Sequence, residues 1–293
     1  MSGKDSGKLN RLLQQVPEGM LVDAAWLQRH GYAGSLRHRY TSSGWLEQVA
    51  NQVYRRPPSN LRQGHSKELP WTLVVTSLQT LMGWPGVVGG RTALELQGYA
   101  HYLSPTGPQL IHLYGDTSPP GWLKKLPSTT SYVFHRAARL FGADRPVATF
   151  DAIAVDITTG AATPLPKGLT GGSSVVPWSA TSWPVACSTP ERALLELLDE
   201  LPEHESFDQV DALFQSLNNL RPRKMQALLE ACTKVRVNRL FFWFANRHQH
   251  RWLLQIKQGS VELGKGKRVI VRGGRLDTKF NITVPRDMHA VEQ

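Results

Sequence analysis

The chain is poor in cysteine and in acidic side chains, and it has no long apolar run. Only Cys187 and Cys232 occur in 293 residues. Two thiols cannot build a disulfide framework, and a reducing compartment suits such a chain. Neither sits in a nucleophile motif, so both read as small core residues. No apolar stretch approaches the ~20 residues that span a bilayer. The opening segment MSGKDSGK lacks the apolar region of a signal peptide. The expected location is therefore the cytoplasm, with no membrane contact. Carboxylates are scarce as well: 23 Asp and Glu stand against 34 Lys and Arg, for a formal net charge of +11. That imbalance favours an anionic partner, most often nucleic acid.

What is present is a 41% hydrophobic chain long enough for two domains or three small ones. Its charge is unevenly placed. Residues 1–70 carry a net +5 and residues 71–186 are nearly balanced. Residues 187–220 carry −7, and residues 221–286 carry +13. These blocks suggest functional differentiation in the C-terminal half. The expected fold is mixed α+β: an N-terminal winged helix-turn-helix, then a larger mixed α/β region with a helical bundle. The expected units are 1–60, a central helix-plus-strand module at 70–180, and a helical and basic β-tail module at 187–286. Asn60 to Glu68 reads as a linker.

The N-terminal unit is the most legible. Leu9, Leu12, Leu13 and Val16 share one helical face, and Pro17 and Gly19 stop that helix. Asp23 is a candidate N-cap for a second, short helix ending at Gly31. Ser35 can cap a third, SLRHRYTSS, which Gly44 ends. Leu36 and Tyr40 then face the core, and Arg37, His38 and Thr41 point outward. Short polar and basic side chains on an exposed helix face reach phosphates and base edges. In WLEQVANQVYRR, apolar residues flank Ala50-Asn51-Gln52 and predict a short hairpin, with Arg55 and Arg56 at its base. Two cations beside a wing suit a phosphate backbone.

Downstream, WTLVVTSLQTLM and TALELQGYAHYL read as helices. QLIHLYG, TSYVFHRAARLF and ATFDAIAVDI read as strands. Thr163 to Trp183 reads as a long irregular connection. Four helices follow: STPERALLELLDELP, FDQVDALFQSLNNL, PRKMQALLEACTKV and VNRLFFWFANRHQHRWLLQI. Pro190 stands at the first helical position of the first, and Ser188 or Thr189 can cap it. The tail reads as strand, turn, strand.

Catalytic signatures are weak. Gly171-Gly172-Ser173-Ser174 resembles the start of a nucleotidyltransferase site, but the carboxylate pair that must follow is missing before Glu191. It reads as a flexible loop. Gly264-Lys265-Gly266-Lys267 lacks the full phosphate-loop pattern. Asp151 and Asp156 are weak evidence of a site. His248 and His250 lack nearby ligands and read as a solvated helix end. His101, His112 and His135 lie in apolar surroundings and read as structural, and Phe241 to Phe244 as core. No metal or cofactor is expected, and no enzymatic activity. Arg223, Lys224, Lys265, Lys267, Arg268 and Arg272 are candidates for a second anionic contact, or for a solvated surface offset by the acidic block.

Five stretches in order resemble the AbiEi family, antitoxins and transcriptional regulators of type IV toxin–antitoxin (abortive infection) systems. They are GWLEQVANQVYRRP (Gly44–Pro57), GGRTALELQGYAHYL (Gly89–Leu103), STPERALLELLDELP (Ser188–Pro202), VNRLFFWFANRHQHRW (Val237–Trp252) and LGKGKRVIVRGGRLDTKFNITVP (Leu263–Pro285). The resemblance implies a winged helix that binds inverted repeats of double-stranded DNA in its own promoter, with two copies per operator. It also implies a C-terminal region that counteracts a nucleotidyltransferase toxin. DNA-contacting positions carried over from the family are Arg37, His38 and Arg39, with Gln52, Arg55 and Arg56 around the wing; Ser35 and Thr41 join them on the third helix. Family wings often have Gly at the turn, where this chain has Ala50-Asn51-Gln52; Asn tolerates the left-handed conformation. Two other readings are a nucleic-acid-processing enzyme targeted by a winged helix and a protein-binding adaptor.

Overall fold

The computed structural model describes residues 3–58, 69–99, 110–142, 173–177 and 184–288. The N-terminal unit runs α1 (Gly3–Gln15), β1 (Leu21–Asp23), α2 (Ala24–Arg29), α3 (Gly34–Ser42), β2 (Glu47–Ala50) and β3 (Val53–Arg55). Its sheet is antiparallel in the order β1-β3-β2. This is the winged-helix arrangement, with α2 and α3 as the helix-turn-helix and β2–β3 as the wing. Leu12, Val16, Trp26, Leu27, Leu36 and Tyr40 meet in its core. Asp23 caps α2 as expected: its carboxylate accepts the Trp26 N–H at 2.7 Å. Ser35 is not a cap. α3 starts at Gly34 with Ala33 before it, and no side chain satisfies its first amides. The wing turn also differs from expectation, since Gln52 and not Asn51 takes the left-handed conformation, at φ +60°. The Gln52 carbonyl accepts the Ala24 N–H at 2.9 Å, which ties the turn to the start of α2.

The body begins with α4 (Trp71–Thr76), which widens into a π-type turn over Ser77–Leu81. Next come β4 (Val87–Val88), α5 (Gly90–Leu96), β5 (Leu110–Gly115), β6 (Ser131–Arg136), α6 (Ala138–Phe141), β7 (Ser173–Pro177) and β8 (Pro184–Ser188). The strands form one five-stranded mixed sheet, β6-β5-β4-β8-β7. Then follow α7 (Pro190–Asp199), α8 (Phe207–Ser216), α9 (Pro222–Ala231), α10 (Val235–His248), and the hairpin β9 (Arg275–Asp277) and β10 (Ile282–Val284). α8 and α10 share an aromatic core of Phe207, Phe214, Phe241, Phe242 and Phe244, and α10 also packs against α7.

The segments before 180 and after 187 are in contact. β8 pairs in parallel with β4, Val88 against Cys187, so the sheet joins the two segments. A buried polar network joins them again. Glu196 of α7 accepts the Gly90 N–H at 3.0 Å and the Ser188 hydroxyl at 2.9 Å, and it pairs with Arg192 at 2.7 Å. α7 approaches so closely that a Cβ on Gly89 would lie 2.3 Å from the Glu196 carboxylate. An extended run of apolar residues cannot bury itself alone, so the sheet and the helices share one core.

Several element expectations change. TSYVFHRAARLF is a strand followed by the short helix α6. Ser173 and Ser174 stand in β7, not in a loop. The fourth bundle helix stops at His248, where Gln249 turns left-handed at φ +47°. The segment ATFDAIAVDI with Asp151 and Asp156, His101, Gly171, Gly172 and the 60–68 linker lie outside the described residues.

The winged helix is seated on the body. The Leu21 N–H donates to the Ser77 hydroxyl at 2.9 Å, and Leu21 and Val53 belong to the body's core. The Trp122 indole N–H, from a tight turn over Gly121–Lys125, donates to the Asp23 carboxylate at 3.2 Å. Asp23 therefore caps the helix-turn-helix with one oxygen and fastens it to the body with the other. A seated unit presents α3 in a fixed orientation relative to the rest of the chain.

Candidate nucleic-acid interface

α3 buries Leu36 and Tyr40 and turns Ser35, His38 and Arg39 to solvent. Its four-residue spacing puts these polar side chains on the face opposite the core. Thr41 is half-buried, and its hydroxyl donates to the Arg37 carbonyl at 2.9 Å. Arg37 is also half-buried and folds back over the helix-turn-helix, where its guanidinium donates to the Ala24 carbonyl at 3.0 Å. That bond fastens α3 to the start of α2 and draws Arg37 away from the outer face. At the wing, Gln52 is exposed beside Asn51.

Arg55 and Arg56 do not stand where a phosphate contact needs them. Arg55 is only 3% exposed. It lies directly across the β2–β3 ladder from Glu47, and its guanidinium donates to that carboxylate at 2.6 and 3.1 Å. Alternation explains the burial: Val53 and Arg55 share the inward face of β3, and Tyr54 faces the other way. Arg56 turns back onto the end of α1. It donates to the Leu13 and Val16 carbonyls at 2.6 and 3.1 Å, and it pairs with Glu18. Those carbonyls are the unsatisfied acceptors at a helix end, and a guanidinium fork suits them. A sequence read as a basic wing is thus two structural arginines. Lys124 and Lys125 are exposed and follow Trp122 in the turn that bonds to Asp23. Nothing in their local sequence marks them, because only the fold brings residue 122 to residue 23.

In the C-terminal half, ion pairs join the acidic block to the basic one. Glu191 is bidentate with Arg221 at 2.8 and 2.9 Å, Asp199 meets Lys234 and Arg236, and Asp211 meets Arg247 and His248. Arg239 is buried and donates to the Leu263, Gly266 and Asn281 carbonyls, which shapes the loop above it. Lys265, Lys267, Arg268 and Arg272 are exposed on that loop, and Arg223 is exposed on α9 with Lys224 half-buried beside it. The acidic block thus pairs with Arg221, Lys234, Arg236 and Arg247, while the cations of the loop face solvent. His248 is not at a solvated end. Its ring lies 2.8 Å from Asp211, and the His250 ring meets the Phe214 carbonyl at 2.7 Å. Among the described residues no helix is long and apolar enough to cross a membrane.

With this geometry in place, comparison with known proteins is specific. A family model described as "Transcriptional regulator, AbiEi antitoxin N-terminal domain" matches residues 5–105. A second, "Transcriptional regulator, AbiEi antitoxin, Type IV TA system", matches residues 109–285. The two models divide the chain within the body, not at the end of the winged helix. No curated protein matches the chain. Among solved structures, the RV2827C protein from Mycobacterium tuberculosis is similar in fold, at 14% identity over 96% of this chain and 89% of that one, with a TM-score of 0.55. The chain belongs to the AbiEi family of antitoxins, the transcriptional regulators of type IV toxin–antitoxin systems.

Proposed function

We propose that the protein is a DNA-binding autorepressor that also counteracts a nucleotidyltransferase toxin, and that it is not an enzyme. The single observation that carries the DNA-binding half is α3, a helix whose core side is fully used and whose outer face offers Ser35, His38 and Arg39. In this reading α3 enters the major groove, His38 and Arg39 approach base edges, and Gln52 with Asn51 contacts the adjacent backbone. Lys124 and Lys125 extend the phosphate-binding surface, in place of Arg55 and Arg56. Arg37 positions α3 rather than reading a base. Two copies occupy inverted repeats upstream of the gene. The loop bearing Lys265, Lys267, Arg268 and Arg272, with Arg223 and Lys224, is a second anionic contact. Support for a non-catalytic body comes from its carboxylates: Glu191, Asp199, Glu205 and Asp211 are each engaged by an arginine or lysine.

The test is a gel-shift titration with ~200 base pairs upstream of the gene against a scrambled duplex at physiological salt, where nonspecific binding is weak. A preference of about 10³ or more establishes a sequence-specific regulator. Arg39→Ala should cost roughly 10-fold or more on the true site and relax its sequence preference, as loss of a base contact does. Equal, salt-labile binding to both duplexes would overturn the reading.

A further inference from the structure

The sheet brings together three side chains that the sequence scatters over almost ninety positions. β5 and β6 run parallel, with Tyr114 beside His135. Alternation puts His112 and Tyr114 on one face of β5, and the register places His135 on the same face of β6. α7 crosses that face, and Glu200 stands at its C-terminal end. The His112 Nδ1 lies 2.9 Å from the His135 Nε2 and 3.8 Å from Glu200 Oε2. The His135 Nδ1 lies 3.5 Å from Glu200 Oε1. One donor atom from each of the three residues lies within 4.8 Å of the other two. We infer that His112, His135 and Glu200 form a binding site for a divalent transition-metal ion of the zinc class.

Two features point to a ligand rather than to packing alone. The first is proximity: with one donor atom per residue the three lie within 4.8 Å of one another, and small side-chain rotations bring such a set to the ~3.3 Å spacing of ligands ~2.0–2.1 Å from a tetrahedral zinc. The second is the surroundings. The Tyr114 hydroxyl donates to Glu200 at 3.4 Å, an outer bond of the kind that orients a metal-binding carboxylate. The Tyr114 ring stacks on His135 at 4.7 Å and 16°. Two imidazoles with one carboxylate suit zinc, cobalt or nickel and not magnesium or calcium, which prefer all-oxygen sites. His112 and Glu200 are buried while the His135 side chain is 22% exposed, so an ion can enter on that side. The exposed His204 ring is centred 6.0 Å from that of His112. An ion here would clamp β5 and β6 to the end of α7.

The test uses the full chain, freed of metal with a chelator and titrated with zinc against a chromophoric competitor. The expected result is one ion per chain with a Kd in the micromolar range or tighter. Cobalt should give the intense visible bands of a tetrahedral site in the unaltered protein, which reads the ligand set without any substitution. His135→Gln and Glu200→Gln should each weaken zinc binding at least 100-fold with the circular dichroism unchanged. His248→Gln with His250→Gln should leave it intact. Failure of the unaltered chain to take up stoichiometric zinc or cobalt would overturn the site and leave a hydrogen-bonded His–His–Glu cluster. So would stoichiometric binding that survives His135→Gln but is lost with His248 and His250.

Discussion

Arg55 offers a sharp choice between two physical roles. If it bound a phosphate, Arg55→Ala would weaken binding to every duplex and lower the log–log salt slope by ~0.9. The structure gives it another task. It is 3% exposed, and its guanidinium is held by Glu47 across the ladder. Truncation removes two buried methylene groups, worth roughly 0.8 kcal/mol each, so about 1.6 kcal/mol from the stem alone. The charge pair adds less than a fully buried one, because the Glu47 side chain is 37% exposed and stays hydrated. About 1 kcal/mol is a fair allowance for it. Arg55→Ala should therefore cost about 3 kcal/mol, and Arg55→Met, which keeps the stem, about 1. Urea unfolding of the full chain reads the stability, and filter binding at several salt concentrations reads the slope. The expected outcome is a destabilised protein whose salt slope is unchanged at temperatures where it stays folded. Unaltered stability together with a slope reduced by about 1 would refute the argument and return Arg55 to the phosphate backbone.

Two further outcomes follow from the body. Glu196→Ala takes the ion-pair partner from Arg192, which is 1% exposed, and the acceptor from the Gly90 N–H and the Ser188 hydroxyl. A loss of about 3–5 kcal/mol is expected in denaturant unfolding, whereas Arg192→Met with Glu196→Leu should cost much less; a loss below ~1 kcal/mol for the single change would contradict the network. Asp211 should contribute acid-sensitive stability. Burial alone would raise its carboxyl, but hydrogen bonds from His248 and Arg247 prevail and hold it down to about 2. A depressed carboxyl stabilises the fold above its unfolded value of ~3.9 and loses that contribution as pH falls toward the folded one, on the order of 2 kcal/mol in all. Asp211→Asn should flatten the stability curve between pH ~4 and 2 relative to the parent, as followed by unfolding at fixed urea.

Much of the winged helix is local, and local signals are legible. Leu9, Leu12 and Val16 recur at helical spacing, Asp23 caps three residues before the amide it bonds, and Gly31 and Gly44 stop helices at φ +86° and +75°. The start of α7 is equally plain, with Pro190 in its first turn. Where reading failed, the cause was a partner distant in sequence. Arg55 and Arg56 look like a free basic pair until β3 puts one against Glu47 and the end of α1 takes the other. Ser35 resembles a cap, yet the chain enters α3 one residue earlier.

Composition and periodicity were enough to establish the class of this protein: basic, lightly thiolated, with a helix-turn-helix ahead of a mixed body. Those properties follow from residues within a few positions of one another, where backbone geometry alone decides which side chains share a face. The sheet order did not follow from them, because pairing β4 with β8 closes a loop of about a hundred residues, and strand runs carry no label for their neighbour. Other long-range contacts decided which charges are free. Arg55 was set against Glu47, Trp122 was brought to Asp23 with Lys124 and Lys125 in the same turn, and His112 and His135 were drawn to Glu200. Packing sets which cations meet carboxylates and which meet solvent, and only the assembled core specifies that packing.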